Sequence, residues 1–211
     1  MSCCNTIDTY FGAKHADRDL KRYLKNGPDR TTALLIEAVR EAGLERATLL
    51  DIGAGIGVLQ HELFPHDISS AVHVDASPAY IEVAKAECRR RDQEARATFV
   101  TGDITEVAGT LEIADIVLLD RVVCCYPNYD DLIRKSISRC RRVYAISYPR
   151  DRMLSRVAFW LDNLKRVFRR QVFRVFVHPV ADVESRIAAT GFERVSVRQT
   201  LIWRVAAFRR V

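Results

Sequence analysis

Three glycines and four aspartates are the residues whose types and spacing suggest chemistry. The run Thr48-Leu49-Leu50-Asp51-Ile52-Gly53-Ala54-Gly55-Ile56-Gly57-Val58-Leu59 passes from apolar residues to a carboxylate, then to glycines at alternate positions. Glycine lets the backbone approach a ligand closely and turn with positive φ. Asp75 follows about twenty residues later, a spacing at which an acidic side chain accepts hydrogen bonds from ribose hydroxyls. Asp103 and Asp120 close two further apolar runs. A dinucleotide fingerprint needs a third glycine three residues after the second, and Val58 stands there. No Gly-Lys-Ser/Thr follows, which excludes a P-loop. His178, before a helix start, is the candidate general base, although a histidine in that place is more often structural.

The apolar runs predict the elements that carry these groups. Strands are expected at 48–52, 71–76, 97–104, 114–120 and 143–149, with a closing hairpin of two strands at 192–199 and 201–208. Leu34, Leu35, Ala38, Val39 and Ala42 mark one helix face, with Pro28 in its first turn and Gly43 as its cap. Ser77-Pro78 starts another helix, with Cys88 on its inner face. Asn128 or Asp130 caps a third, whose inner face is Leu132, Ile133, Ile137 and Cys140, and the Asp130-Asp131 pair suits its dipole. Alternating strands and helices of this kind build a doubly wound α/β sheet, whose ligands bind beyond the carboxyl ends of the strands.

The GxGxG loop preceded by Asp51 resembles that of the Rossmann-like S-adenosylmethionine-dependent methyltransferases. The resemblance covers about residues 45–205. It implies a seven-stranded, mostly parallel sheet with helices on both faces and an antiparallel last strand. It implies S-adenosyl-L-methionine as cofactor and S-adenosyl-L-homocysteine as product, held by Asp51, Gly53, Ala54, Gly55, Gly57, Asp75, Ala76, Asp103, Ile104, Asp120 and Arg121. In the family, the residue at Asp103 accepts from the adenine amino group and its apolar successor packs on the ring. The N-terminal Tyr-Phe arm and Asp120-Arg121-Val122-Val123-Cys124-Cys125-Tyr126-Pro127 are distantly similar to those of the magnesium-protoporphyrin O-methyltransferase group. Neither the Asn/Asp-Pro-Pro-aromatic run of base amine methyltransferases nor the Pro-Cys of cytosine C5 enzymes is present. Cys124 and Cys125 are therefore expected to pack at a strand end.

One domain is expected: a helical arm and first helix over 1–44, a cofactor half over 45–149, a helical insertion over 150–178, and a closing helix and hairpin over 179–211. The arm, from about residue 6 to 25, either covers the cofactor or packs on the sheet edge. The insertion puts apolar residues at helical spacing beside Arg152, Arg156, Lys165, Arg166, Arg169 and Arg170. It is a substrate lid, a peripheral membrane contact over 150–174, or a helix packed by its apolar stripe.

The 211 residues carry a formal net charge of +6 and six cysteines with no Cys-x-x-Cys. That cysteine usage suits neither a zinc site nor a disulfide framework, and no metal is expected. The N-terminus carries no signal-peptide pattern and no apolar run is long enough to cross a bilayer, so a cytoplasmic protein is expected. The expected activity is methyl transfer to a small-molecule acceptor, at oxygen. The alternatives are an RNA or protein methyltransferase, a non-catalytic cofactor-binding domain, and a nicotinamide oxidoreductase, the last disfavoured by the glycine spacing. Nucleic acid is disfavoured as a partner by the missing motifs. The oligomeric state is not legible.

Overall fold

A computed structural model describes residues 12–43 and 45–211. Tyr10, Phe11 and the start of the expected arm lie outside the described residues. Two helices lead: α1 (Ala13–Asn26) and α2 (Arg30–Ala42). The chain then alternates through β1 (Ala47–Ile52), α3 (Val58–Leu63), β2 (Ile68–Asp75), α4 (Pro78–Arg90), β3 (Ala97–Thr101), α5 (Ile104–Val107) and β4 (Ala114–Asp120). It finishes with α6 (Tyr129–Ile137), β5 (Cys140–Pro149), α7 (Met153–Phe168), α8 (Val180–Ala188), β6 (Phe192–Gln199) and β7 (Trp203–Arg210).

The strands form one seven-stranded sheet in the order β3-β2-β1-β4-β5-β7-β6. Neighbours from β3 to β5 are parallel, and β7 is antiparallel to both β5 and β6. The central strands read as continuous apolar runs because both faces are covered. Leu49, Ile116, Leu118, Val143 and Ala145 join α2 and α3 in one core. Leu50, Ile52, Val117, Leu119 and Ile146 join α6 and α8 in the other. Chain progression reverses between β1 and β4, so their carboxyl ends open the crevice where such sheets bind ligands.

Four local expectations need correction. Asp29 caps α2, accepting from Thr31 and Thr32 N–H at 3.0 and 3.2 Å, so Pro28 lies before the helix and outside its first turn. Cys140 opens β5, because α6 ends at Ile137. The third strand stops at Thr101, because Asp103 caps α5 by accepting from Thr105 N–H at 2.9 Å. Leu201 sits in the turn, because β7 begins only at Trp203, whose N–H is caught by Thr200 Oγ1 at 3.0 Å.

Candidate active site

The glycine loop is fastened from beneath. Gly53 and Ala54 N–H groups both donate to the Val74 carbonyl, at 2.8 and 3.2 Å, tying the loop to the end of β2. Gly53 takes φ 62°, and a Cβ there would fall 2.5 Å from Val122 Cγ2, so only glycine fits. Asp75 joins the next two turns: Oδ2 accepts from Gly55 N–H and Oδ1 from Ser77 N–H, each at 2.8 Å. Burial raises the Asp75 pKa even so. Each of its oxygens retains a second lone pair for a ligand hydroxyl.

Asp51 sits deeper, 1% exposed at the end of β1. Neither carboxylate oxygen has a hydrogen-bond partner among the described residues. Burial, then the charges of Asp120 and Asp75, push its pKa well above the ordinary carboxylate range. A buried carboxylate without partners is costly to ionise. A ligand cation placed beside it would remove that cost.

Asp120, at the end of β4, anchors the opposite side. Its Oδ2 accepts from Thr32 Oγ1 at 2.6 Å and Arg121 Nη2 at 3.0 Å, and its Oδ1 from Ser147 Oγ at 2.5 Å. Arg121 holds φ 61°, a costly conformation for a residue with a side chain. Its backbone N–H bonds Ser147 Oγ at 2.8 Å and its guanidinium pairs with Asp29 at 2.6 Å, which fixes it. Helix α1 roofs the loop. Ala16 and Tyr23 pack with Ile56 and Tyr80, and Tyr80 donates its hydroxyl to Asp19 at 2.7 Å.

Two cavities, of about 130 and 550 Å³, meet here and share Gly53, Gly55, Tyr80, Asp120 and Arg121 as walls. Asp51 and Ala54 line the smaller; Asp75, Ala76 and Ile104 line the larger. Gly57 lines neither and instead starts α3 in a left-handed conformation, φ 83°. Asp103 is buried beside the wall formed by Gly102 and Ile104, and it accepts from Tyr126 Oη at 2.8 Å. His178 is not a lining residue. Its Nε2 donates to the Tyr126 carbonyl at 2.9 Å, its ring lies 4.3 Å from that of Tyr129, and burial lowers its pKa.

The insertion, one of whose expected roles is a substrate lid, supplies much of the far wall. Phe159, Asp162 and Arg166 of α7 face the cofactor loop across the larger cavity, with Phe173, Val175 and Trp203 beside them. Arg166 pairs with Asp162 at 2.8 Å and lies 5.0 Å from the Phe173 ring centroid. Cys124 and Cys125 line the floor, their thiols 3.2 and 3.5 Å from the Arg121 carbonyl. The hydrogen bond with Cys125 and then burial hold the Cys124 thiol well above its usual pKa, so it is no nucleophile at neutral pH. Tyr80 and Asp29 were missed. Asp29 had a visible signal, an aspartate just before a helical pattern, whereas Tyr80 had none.

A family model for a methyltransferase domain matches residues 45–199. This chain belongs to that family. Among solved structures, magnesium protoporphyrin IX methyltransferase from Synechocystis with bound S-adenosylmethionine is similar, with TM-score 0.74 and 16% identity over 100% of this chain and 98% of that one. An O-methyltransferase family protein from Burkholderia thailandensis gives TM-score 0.75 and 17% identity over 97% of this chain and 63% of that one. A cyclase, SpnF, gives TM-score 0.65 and 12% identity over 86% of this chain and 80% of that one. No curated protein sequence matches the chain. At these identities the structural likeness establishes the fold.

A methyltransferase domain implies S-adenosylmethionine as methyl donor, and the site suits that molecule. The donor carries an α-ammonium group, and Asp51 is an unpartnered buried carboxylate at the smaller cavity. It carries ribose hydroxyls, and Asp75 retains acceptor capacity at the larger one. Its adenine needs an apolar slot with an adjacent acceptor, and Ile104 with the Gly102 turn supplies that wall.

Proposed function

We propose that this S-adenosylmethionine-dependent methyltransferase acts on a small, partly apolar acid, at a carboxylate or acidic hydroxyl oxygen. The observation that carries the reading is the larger cavity, about 550 Å³, with the cofactor loop on one side and Phe159, Arg166, Phe173 and Trp203 on the other. That volume suits a small molecule. Aromatic walls favour an apolar body, and Arg166, paired with Asp162 at the cavity wall, offers a charge-assisted partner for an anionic group.

Bound in the crevice, the cofactor supplies an electrophilic methyl carbon on a sulfonium. The chain's residues do the rest by position. Asp51 would bind the donor's ammonium, Asp75 its ribose, and Asp103 with Ile104 its base. Asp120 and Arg121 shape the floor where β4 ends. Gly57 shapes the helix start beneath the loop. Helix α1, through Tyr80 and Asp19, excludes water from above. Arg166 and the aromatic wall would align the acceptor. Such alignment can contribute roughly 7 to 11 kcal/mol at best through effective molarity. An acceptor already anionic needs no strong base. His178, whose Nε2–H donates a hydrogen bond to the Tyr126 carbonyl, would act by holding the turn that follows β4.

Incubation with S-adenosylmethionine and a panel of phenolic and carboxylic acids, with product S-adenosylhomocysteine quantified, tests the reading. Turnover should appear with an acid, and Arg166→Leu should raise KM for it about tenfold while leaving cofactor affinity unchanged. Turnover only with RNA, falling steeply with salt, would contradict it.

A further inference from the structure

Helix α7 is turned inside out. An amphipathic helix of an α/β domain normally lays its apolar stripe on the core. Here the side facing the protein carries Ser155, Asp162, Asn163 and Arg166, with Phe159 as its one large apolar residue, packed 5.7 Å from Trp203. Ser155, the only buried residue of α7, lies 3.5 Å from the Ile202 carbonyl through Oγ. Asn163 holds the Val175 backbone from both sides, at 2.7 and 2.9 Å. Asp162 and Arg166 line the cavity. The opposite side, Met153, Val157, Trp160, Leu164, Val167 and Phe168, is 37% to 79% exposed. At about 100° per residue, these positions and their apolar neighbours fill an arc of roughly 140°. Val172 and Leu201, outside the helix, are exposed as well, at 70% and 71%.

The segment as a whole is strongly cationic. Residues 150–174 carry eight arginines and lysines against two aspartates, an excess of six, equal to the net +6 of the whole chain. Both aspartates are paired, Asp151 with Arg156 and Asp162 with Arg166. By helical angle, Arg156 and Lys165 border the apolar arc on opposite edges, both exposed, and Arg169 and Arg170 close its end.

We propose that the outward face of α7 docks on an anionic phospholipid bilayer. A Trp- and Phe-bearing arc rimmed by cations is complemented at once by acyl chains and by anionic headgroups. A second copy of this chain fits poorly, because a two-fold interface would set the cationic rims against each other. A flat 16-residue helix lays about 24 Å of apolar edge on the surface. Since its inner side walls the cavity, docking would hold that wall against the headgroups.

Vesicle flotation tests this. The full chain should float with phosphatidylcholine vesicles containing about one third phosphatidylglycerol, not with phosphatidylcholine alone, and raising salt should release it. Trp160→Glu and Phe168→Glu should each weaken partition at least tenfold, and Arg169→Glu with Arg170→Glu by more than twentyfold at about fivefold per lost cation. All variants should keep the wild-type thermal midpoint, since these side chains face outward. Failure to float with anionic vesicles at low salt would overturn the proposal. So would flotation that both glutamate variants leave intact, or a solution dimer that Trp160→Glu splits.

Discussion

On the β1 side, the cavity is walled by backbone and by carboxylates buried at strand ends, every one fixed by a hydrogen bond, a left-handed turn or the sheet register. On the α7 side it is walled by long side chains on a helix with one buried residue. The first wall is rigid and fits a ligand whose chemistry does not vary. The second can change residue by residue without disturbing the core, which is where a family diversifies its acceptors. The same looseness leaves the outer face of α7 free to serve another surface.

Substitutions should therefore separate the walls. The largest effect is expected from Gly53→Ala. A left-handed alanine and a Cβ 2.5 Å from Val122 Cγ2 together cost roughly 2 to 5 kcal/mol. Thermal unfolding should show a lower midpoint, with cofactor affinity lost alongside. Asp51→Asn should split two properties that normally move together. Affinity for S-adenosylhomocysteine should fall about 10- to 100-fold, as for loss of a buried charge pair. The free protein should gain about 1 kcal/mol, because an unpartnered buried carboxylate has gone.

The pH dependence follows the same residue. Asp51 has a native pKa above its unfolded value. Its contribution to the free protein's stability is thus full below the ordinary carboxylate range and is lost as pH rises through the raised value. The Asp51→Asn difference in midpoint should grow with pH over that window. On the other wall, Arg166→Leu should leave S-adenosylhomocysteine binding within about twofold and raise the acceptor KM about tenfold. Smallest is Tyr80→Phe, which frees α1 from one bond to Asp19. A loss of about 1 kcal/mol, roughly fivefold in cofactor affinity through faster release, should be visible in stopped-flow binding.

The rigid wall was legible in the sequence for the reason that it is rigid. Positive φ at Gly53 and Gly55 and a carboxylate at each strand end are demands only a few residue types meet. The doubly wound class follows from alternating strands and helices, the seven-stranded sheet with its antiparallel last strand from the family resemblance, and the bounds of β6 from its alternating pattern. The insertion was legible as a candidate lid, but Tyr80 and the choice of Phe159, Asp162 and Arg166 as lining residues were not, because tertiary packing, not local pattern, brings them to the crevice. Helix α7 shows the limit most clearly. Its periodicity marks a helix and an apolar face, but which face meets the protein is set by Ser155, Asn163 and the segment after it.

The most direct measurement is calorimetric titration of the free protein with S-adenosylhomocysteine near pH 7, in two buffers of different ionisation enthalpy. The ligand's ammonium favours the ionised form of Asp51, so wild type should bind and release part of a proton, and Asp51→Asn should bind weakly and release none. No binding, or binding with a proton count that Asp51→Asn leaves unchanged, would contradict the assignment of Asp51 and the cofactor wall built around it.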